Sequence, residues 1–219
     1  MKRGTRLIVT AVLGLGVLSA CGTTGRQESR RELFELAFTT LKQNVTGAKD
    51  ESPSISDIRA LAPTVLEAVP LPIILVSRRK TDEADFYALS AETGDYRIYA
   101  SSDDVTITLQ GGVLAETRRL GSDLMSSQNG PLPKLLKRRA SGDYQRVLRT
   151  LDAEGHEISV MYDCRLSAGD AEQMTENCTT PGKAFRNIYE YVPGSNMLLR
   201  SEQWLNDTNG HLTIEHLRH

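Results

Sequence analysis

The sequence predicts an all-β domain, either an antiparallel two-sheet sandwich or a partly closed barrel of about ten strands, behind an N-terminal amphipathic helix. Three observations carry that reading. Short runs rich in β-branched and aromatic residues recur every eight to twelve residues or so, which suits an antiparallel sheet rather than βαβ units. Turn residues separate them. Gly111-Gly112, between two alternating runs, is a strong hairpin signal.

Residues 1–20 read as a secretory signal. Lys2, Arg3 and Arg6 form the positive segment, and the apolar run 7–18 is too short for a stable membrane-spanning helix. Leu18-Ser19-Ala20-Cys21 follows directly and matches a bacterial lipobox, which makes Cys21 the expected lipid-bearing first residue of the mature chain. Several acyl chains at about 0.8 kcal/mol per buried methylene hold such a protein on its membrane. Gly22 in place of Asp favours the outer membrane, with the domain facing the periplasm. Residues 21–28 are small and polar, a tether, and 29–219 form one domain.

The domain opens at Ser29-Arg30-Arg31-Glu32, a capping box. Leu33, Leu36, Ala37 and Leu41 then share one helix face, ending near Gly47. A short helical turn is expected at 56–61, before Pro63. Strands are expected at 73–78, 86–91, 96–101, 105–110 and 113–117. Residues 126–140 read as a loop with a short helix at 135–139. Strands resume at 144–151, 157–165, 185–192, 197–205 and 212–217, separated by turns at 153–155, 193–195 and 206–210.

Composition excludes some functions. Without Lys2, Arg3 and Arg6 the 26 cationic residues fall to 23 against 28 acidic, a net charge of −5. An acidic secreted domain is a poor binder of nucleic acid, whose affinity rests on phosphate neutralisation. With Cys21 lipidated, Cys164 and Cys178 remain as an even pair in an oxidising compartment and read as a disulfide. Two thiols could also bind a metal, but no His or further Cys lies near them in sequence.

Catalytic signatures are sparse. There is no nucleophile elbow, no phosphate-binding loop and no His-Glu-x-x-His. Of the four histidines, alternation sets His216 on the opposite strand face from His211 and His219, which argues against a metal site; no cofactor is expected. Asp103, Asp104, Asp123 and Asp163 are carboxylates of the sort a glycosidase pairs, though turns and surfaces also use them. Arg78-Arg79-Lys80, and Lys134 with Lys137-Arg138-Arg139, are basic groups that suit an anionic glycan or a solvated edge. Trp204 shares a strand face with Arg200 and Glu202. It is either a sugar-stacking platform or a residue closing one end of the core.

Thr117-Arg118-Arg119-Leu120-Gly121-Ser122-Asp123-Leu124-Met125 resembles the T-R-G-L-G-x-D-L-M signature of the YjbF/GfcB lipoproteins, associated with exopolysaccharide and group-four-capsule genes. The lipobox, the Pro-Ile-Ile-Leu-Val strand and the ending at residues 199–215 are similar too. Arg119 departs from the signature, standing where Gly is expected, so that turn needs a conformation a side chain can adopt. The resemblance implies a β domain at the outer membrane and a non-enzymatic role in polysaccharide secretion or assembly. Its implied partners are export proteins or the anionic polymer itself. In the signature, Leu120, Leu124 and Met125 become core or interface anchors, Gly121 a turn and Asp123 a cap or turn acceptor. Arg118 could pair with a carboxylate inside the fold. Arg118, Asp123, Arg200 and Trp204 are the candidates for glycan or partner contact. Two other functions remain open: a polysaccharide-modifying enzyme, glycoside hydrolase-like, and a structural envelope lipoprotein unconnected with glycans.

Overall fold

A computed structural model describes residues 53–170 and 172–219; the expected signal, lipobox, tether and first amphipathic helix lie outside them. Helix α1 (Ile55–Ala60) starts at Ser54, whose hydroxyl accepts from the Asp57 amide while Asp57 reaches back to the Ser54 amide. Helix α2 (Ala62–Ala68) follows at once, with Pro63 in its first turn, where a missing N–H costs nothing. Among the described residues no helix is long and apolar enough to cross a membrane.

Twelve antiparallel strands follow: β1 (Ile73–Arg78), β2 (Glu83–Thr93), β3 (Tyr96–Ala100), β4 (Thr106–Gln110), β5 (Val113–Arg118), β6 (Leu124–Gln128), β7 (Gly142–Leu151), β8 (Glu157–Ala168), β9 (Gln173–Thr180), β10 (Lys183–Tyr191), β11 (Leu198–Asn206) and β12 (Gly210–Arg218). Helix α3 (Leu132–Arg138) lies between β6 and β7. All twelve strands belong to one sheet, ordered β5-β4-β3-β2-β1-β12-β11-β10-β9-β8-β7-β6. The end strands β5 and β6 meet through side chains: the Leu124 amide donates to Thr117 Oγ1 at 3.0 Å, and Asn129 Nδ2 donates to the Leu114 carbonyl at 3.3 Å. The result is a nearly closed barrel.

Of the two architectures expected from sequence, the barrel is the one formed; a two-sheet sandwich is not. Two strands exceed the expected set. β6 (Leu-Met-Ser-Ser-Gln) and β9 (Gln-Met-Thr-Glu-Asn-Cys-Thr-Thr) are polar and carry no Val, Ile or aromatic residue, and their neighbours supply the pairing. Helix α3 begins three residues before the expected 135–139.

Strand β1 is buried on both faces, which explains its unbroken apolar run. Ile74 and Val76 face the interior with Tyr99, Ile107, Leu148 and Ile214. Ile73 and Leu75 pack outward under Ile58 of α1 and Val65 of α2. The Arg218 guanidinium donates to the Leu66 and Val69 carbonyls, capping the C-terminal end of α2 and tying the helices to β12. Cys164 and Cys178 sit directly opposite each other on β8 and β9, 4.1 Å apart at Cα, and form the expected disulfide. Closing a loop of this length contributes about 3 kcal/mol in the chain-entropy model.

Candidate functional site

The antiparallel order puts Arg119–Asp123, the β11–β12 turn and the β1–β2 turn at one barrel end, and α3, the Gly111-Gly112 turn and His219 at the other. The first end is closed. Leu120 and Leu124 enter the core, while Met125 stays on the surface, 39% exposed. Asp123 organises the loop: Oδ1 accepts from Thr117 Oγ1 and the Leu120 amide, both at 3.0 Å, and Oδ2 accepts from the Arg119 amide at 2.8 Å. The Ser122 carbonyl accepts from Asn206 Nδ2 at 2.6 Å and Asn209 Nδ2 at 2.9 Å, and Arg78 donates to the Leu120 carbonyl at 3.3 Å.

Arg119 adopts φ +65°, the left-handed region that its place in the signature reserves for Gly. A side chain there costs about 1–2 kcal/mol, and glycine's greater freedom when unfolded offsets about 0.5–1 of it. Arg119→Gly is therefore expected to raise the unfolding free energy by about 0.5–1 kcal/mol. The exposed contact to Asp104 that it removes, at 3.5 Å, is worth little. Denaturant titration decides; a lowered midpoint at unchanged slope would contradict the strain.

At the opposite end the barrel opens into a cavity of about 530 Å³, bounded by α3, the β2–β3 and β4–β5 turns, β11 and the C-terminal histidines. Both turn glycines have positive φ, which strains any side chain there, and a Cβ on Gly112 would also displace the tip of Leu198, 2.3 Å away at Cδ1. The Tyr191 hydroxyl donates to the Leu136 carbonyl at 2.8 Å and holds α3 in place; burial pushes its own proton affinity up to about 12. Arg139 lies 4.8 Å over the Tyr191 ring and pairs with Glu172 at 2.6 Å.

His216 lines the cavity wall, with neither ring nitrogen hydrogen-bonded among the described residues, and the His219 ring stacks on it at 5.2 Å. Alternation alone would separate the two. A register shift beside Ile73 and Ile74, and the chain's departure from β12 after Arg218, bring them together. Burial, then His219 and Arg97 nearby, lower the His216 proton affinity from 6.5 to about 4; Arg97 itself is paired with Glu92 at 2.9 Å. The unfolded chain takes up this proton below pH 6.5 and the folded chain only near 4. Stability is thus complete above pH 6.5 and is lost as the pH falls toward 4, by about 3 kcal/mol from this group. His216→Gln should flatten the stability profile between these limits relative to wild type, read by denaturant titration across pH. Identical slopes would disprove the role.

Between the barrel's two apolar clusters lies a buried polar layer. The inward residues run Cys178, Glu176, Met174 on β9 and Phe185, Asn187, Tyr189 on β10, so polar sites fall between apolar ones. Arg146 Nη1 donates to both Glu176 oxygens, at 3.0 and 2.9 Å, with exposures of 2% and 0%. Glu176 also accepts from Tyr144 at 2.8 Å, Asn187 at 2.6 Å and Tyr189 at 3.1 Å. Arg146 Nη2 reaches Ser127 and Asn129. Burial, reinforced by the Glu176 charge, raises the phenol proton affinities of Tyr144 and Tyr189, so both stay protonated donors. The sequence reading missed this layer. The available signal was Glu176 sharing strand parity with Met174 and Cys178.

The four residues expected to contact glycan or partner do not converge, and none lines the cavity. Arg118 is exposed and pairs with Glu116 at 2.5 Å on the surface rather than inside the fold. Asp123 is committed to its own loop. Arg200 lies 3.6 Å from Glu190. Trp204 is half-buried, stacked on Phe185 at 6.2 Å and edge-on to His211 at 5.2 Å. Among the described residues, two groups have metal-ligand composition. In one, Cys164 and Cys178 are bonded to each other beside Glu176. The other, Asp152, Glu154 and His156, is a turn in which Asp152 already accepts the Glu154 and His156 amides.

No curated protein matches this sequence. Among solved structures, the crystal structure of the hypothetical lipoprotein YmcC from Escherichia coli K12 has a similar fold, with a TM-score of 0.62 and 16% identity over 77% of this chain and 98% of that one. Residues 35–217 match the family described as group 4 capsule polysaccharide lipoprotein GfcB, YjbF. That span takes in the whole barrel and its signature loop, and the chain belongs to the YjbF family of lipoproteins.

Proposed function

We propose that this protein is a lipid-anchored, non-enzymatic accessory protein in the secretion or assembly of a capsular or extracellular polysaccharide. Cys21 holds it on the inner face of the outer membrane, where it meets export proteins or the polymer. The family match over residues 35–217 carries this reading, because the family's description joins a lipoprotein to a capsule polysaccharide. The chemistry of the carboxylates supports a non-enzymatic role. Glu176, the most buried, is saturated by Arg146, Tyr144, Asn187 and Tyr189 and keeps no oxygen free for a substrate proton. Of the two carboxylate side chains at the cavity, Glu92 is paired with Arg97 and Asp95 accepts from Gln110 Nε2 at 3.4 Å.

The test is polysaccharide on the cell surface and in the medium after deletion of the gene, with complementation by wild type or by Cys21→Ala. Loss of exported polymer, restored by wild type and not by Cys21→Ala, is the expected result. Unchanged polymer amount and chain length would overturn the proposal and favour a structural envelope role.

A further inference from the structure

Resting on the polysaccharide reading above, we propose that the open-end cavity is a binding site for an acidic sugar unit of the polymer. Its volume of about 530 Å³ is in the range of small-ligand sites. Half-buried Leu198 gives it an apolar wall for a sugar ring, backed by Tyr99, Leu109 and Tyr191, which are packed into the core at 2% exposure or less. Lys134 and Lys137 project from α3 at its rim; both are exposed, and their spacing of three puts them on one helix face.

Two observations separate this site from an ordinary surface hollow. The first is a buried imidazole with unsatisfied nitrogens. Among the described residues, His216 is the cavity-lining side chain whose buried polar atoms, both ring nitrogens, have no hydrogen bond, while the buried Tyr99 hydroxyl, also at the cavity, has the Arg97 guanidinium beside it. Unsatisfied groups of this kind are rare in folded proteins and point to an absent partner. A neutral imidazole needs partners that both donate and accept, as sugar hydroxyls do. The His219 ring shields His216, lies beyond the last strand residue and is exposed, so it can swing aside for a ligand.

The second is how the basic side chains are used. In the 78–80 group, Arg78 pairs with Glu83, and Lys80 donates to the Asp207 and Thr208 carbonyls. Arg139 is taken by Glu172 and Tyr191. Arg79, Arg138, Lys134 and Lys137 have no carboxylate partner among the described residues, and of these four the two lysines line the cavity. The cavity also holds two carboxylate side chains: Glu92 is neutralised by Arg97, and the two lysines outnumber Asp95, so the lining side chains stay net positive and favour a sugar that carries a carboxylate.

The experiment titrates the full mature lipoprotein, in detergent, with trigalacturonate and with neutral maltotriose at low and high salt. Trigalacturonate is expected to bind, to weaken as salt rises, and to lose about tenfold or more in affinity in the Lys134→Gln/Lys137→Gln variant. Both lysines are exposed, so that variant keeps the fold. Absence of trigalacturonate binding, equal binding of maltotriose, or an unchanged double variant would each overturn the site. Cells separate this failure from failure of the parent reading. Polymer lost on deletion but normal in the double variant sinks the site and keeps the export role. Polymer unchanged on deletion sinks the export role, whatever trigalacturonate does in the titration.

Discussion

Glu176→Ala is expected to lower the unfolding free energy by about 3–5 kcal/mol, the largest single effect in this barrel. The substitution leaves the Arg146 guanidinium, 2% exposed, without its counter-charge. It also removes the acceptor of the Tyr144, Tyr189 and Asn187 donors. Breaking one partner of a buried pair is costly because the remaining charge stays desolvated, whereas replacing both by apolar groups of similar shape is close to neutral. The double variant Arg146→Met/Glu176→Leu should therefore recover only the share owed to the stranded charge, since the Tyr144, Tyr189 and Asn187 donors still lack their acceptor. Denaturant unfolding of the three forms gives the coupling directly. A Glu176→Ala loss below about 1 kcal/mol would mean that water reaches the pair in solution.

The polar layer also marks where reading the sequence stops. Alternation found most strands because an inward Ile107, Leu109 or Leu212 contrasts with a polar neighbour on either side. In β7 and β9 the contrast inverts. Arg146 and Glu176 point inward, where charge in a sequence is read as an outward face, and β9 was lost with them. Their burial depends on each other across non-adjacent strands, and no local pattern encodes that dependence. Closure was equally hidden. One sheet becomes a barrel because Thr117 and Asn129 bridge β5 to β6, a contact made by two side chains rather than a ladder.

The candidate site was partly legible. Lys134 and Lys137 stood out as a basic group, and Gly111-Gly112 as a hairpin, and both border the cavity. Tyr99 and His216 did not stand out, because an inward Tyr is an ordinary core residue and strand alternation separated His216 from His219. Only the register shift at β1 and β12 makes those two histidines neighbours. Trp204, Arg118 and Arg200 drew notice as residue types, yet none of them lines this cavity.

The signature loop supplies the second large effect: Asp123→Ala is expected to cost about 3–4 kcal/mol. Three donors converge on this carboxylate, the Arg119 and Leu120 amides and the Thr117 hydroxyl, and hydrogen bonds to a charged acceptor contribute about 1.5–3 kcal/mol each before relaxation and solvent replace part of it. The loop is anchored at both sides, since Thr117 Oγ1 also accepts the Leu124 amide and the Ser122 carbonyl holds Asn206 and Asn209. Loss of Asp123 therefore loosens the seam between β5 and β6 and the lid made by Leu120. Asp123→Asn retains one acceptor oxygen for Thr117 and Leu120 but puts a donor opposite the Arg119 amide, so it should recover about half the loss. Hydrogen exchange should speed up at the amides of Arg119, Leu120 and Leu124 in Asp123→Ala while β9 and β10 keep their protection. Uniform loss across the barrel would show that the loop is part of the global folding unit. An Asp123→Ala protein as stable as wild type would show that water replaces the carboxylate, and that the signature Asp does not hold the loop together.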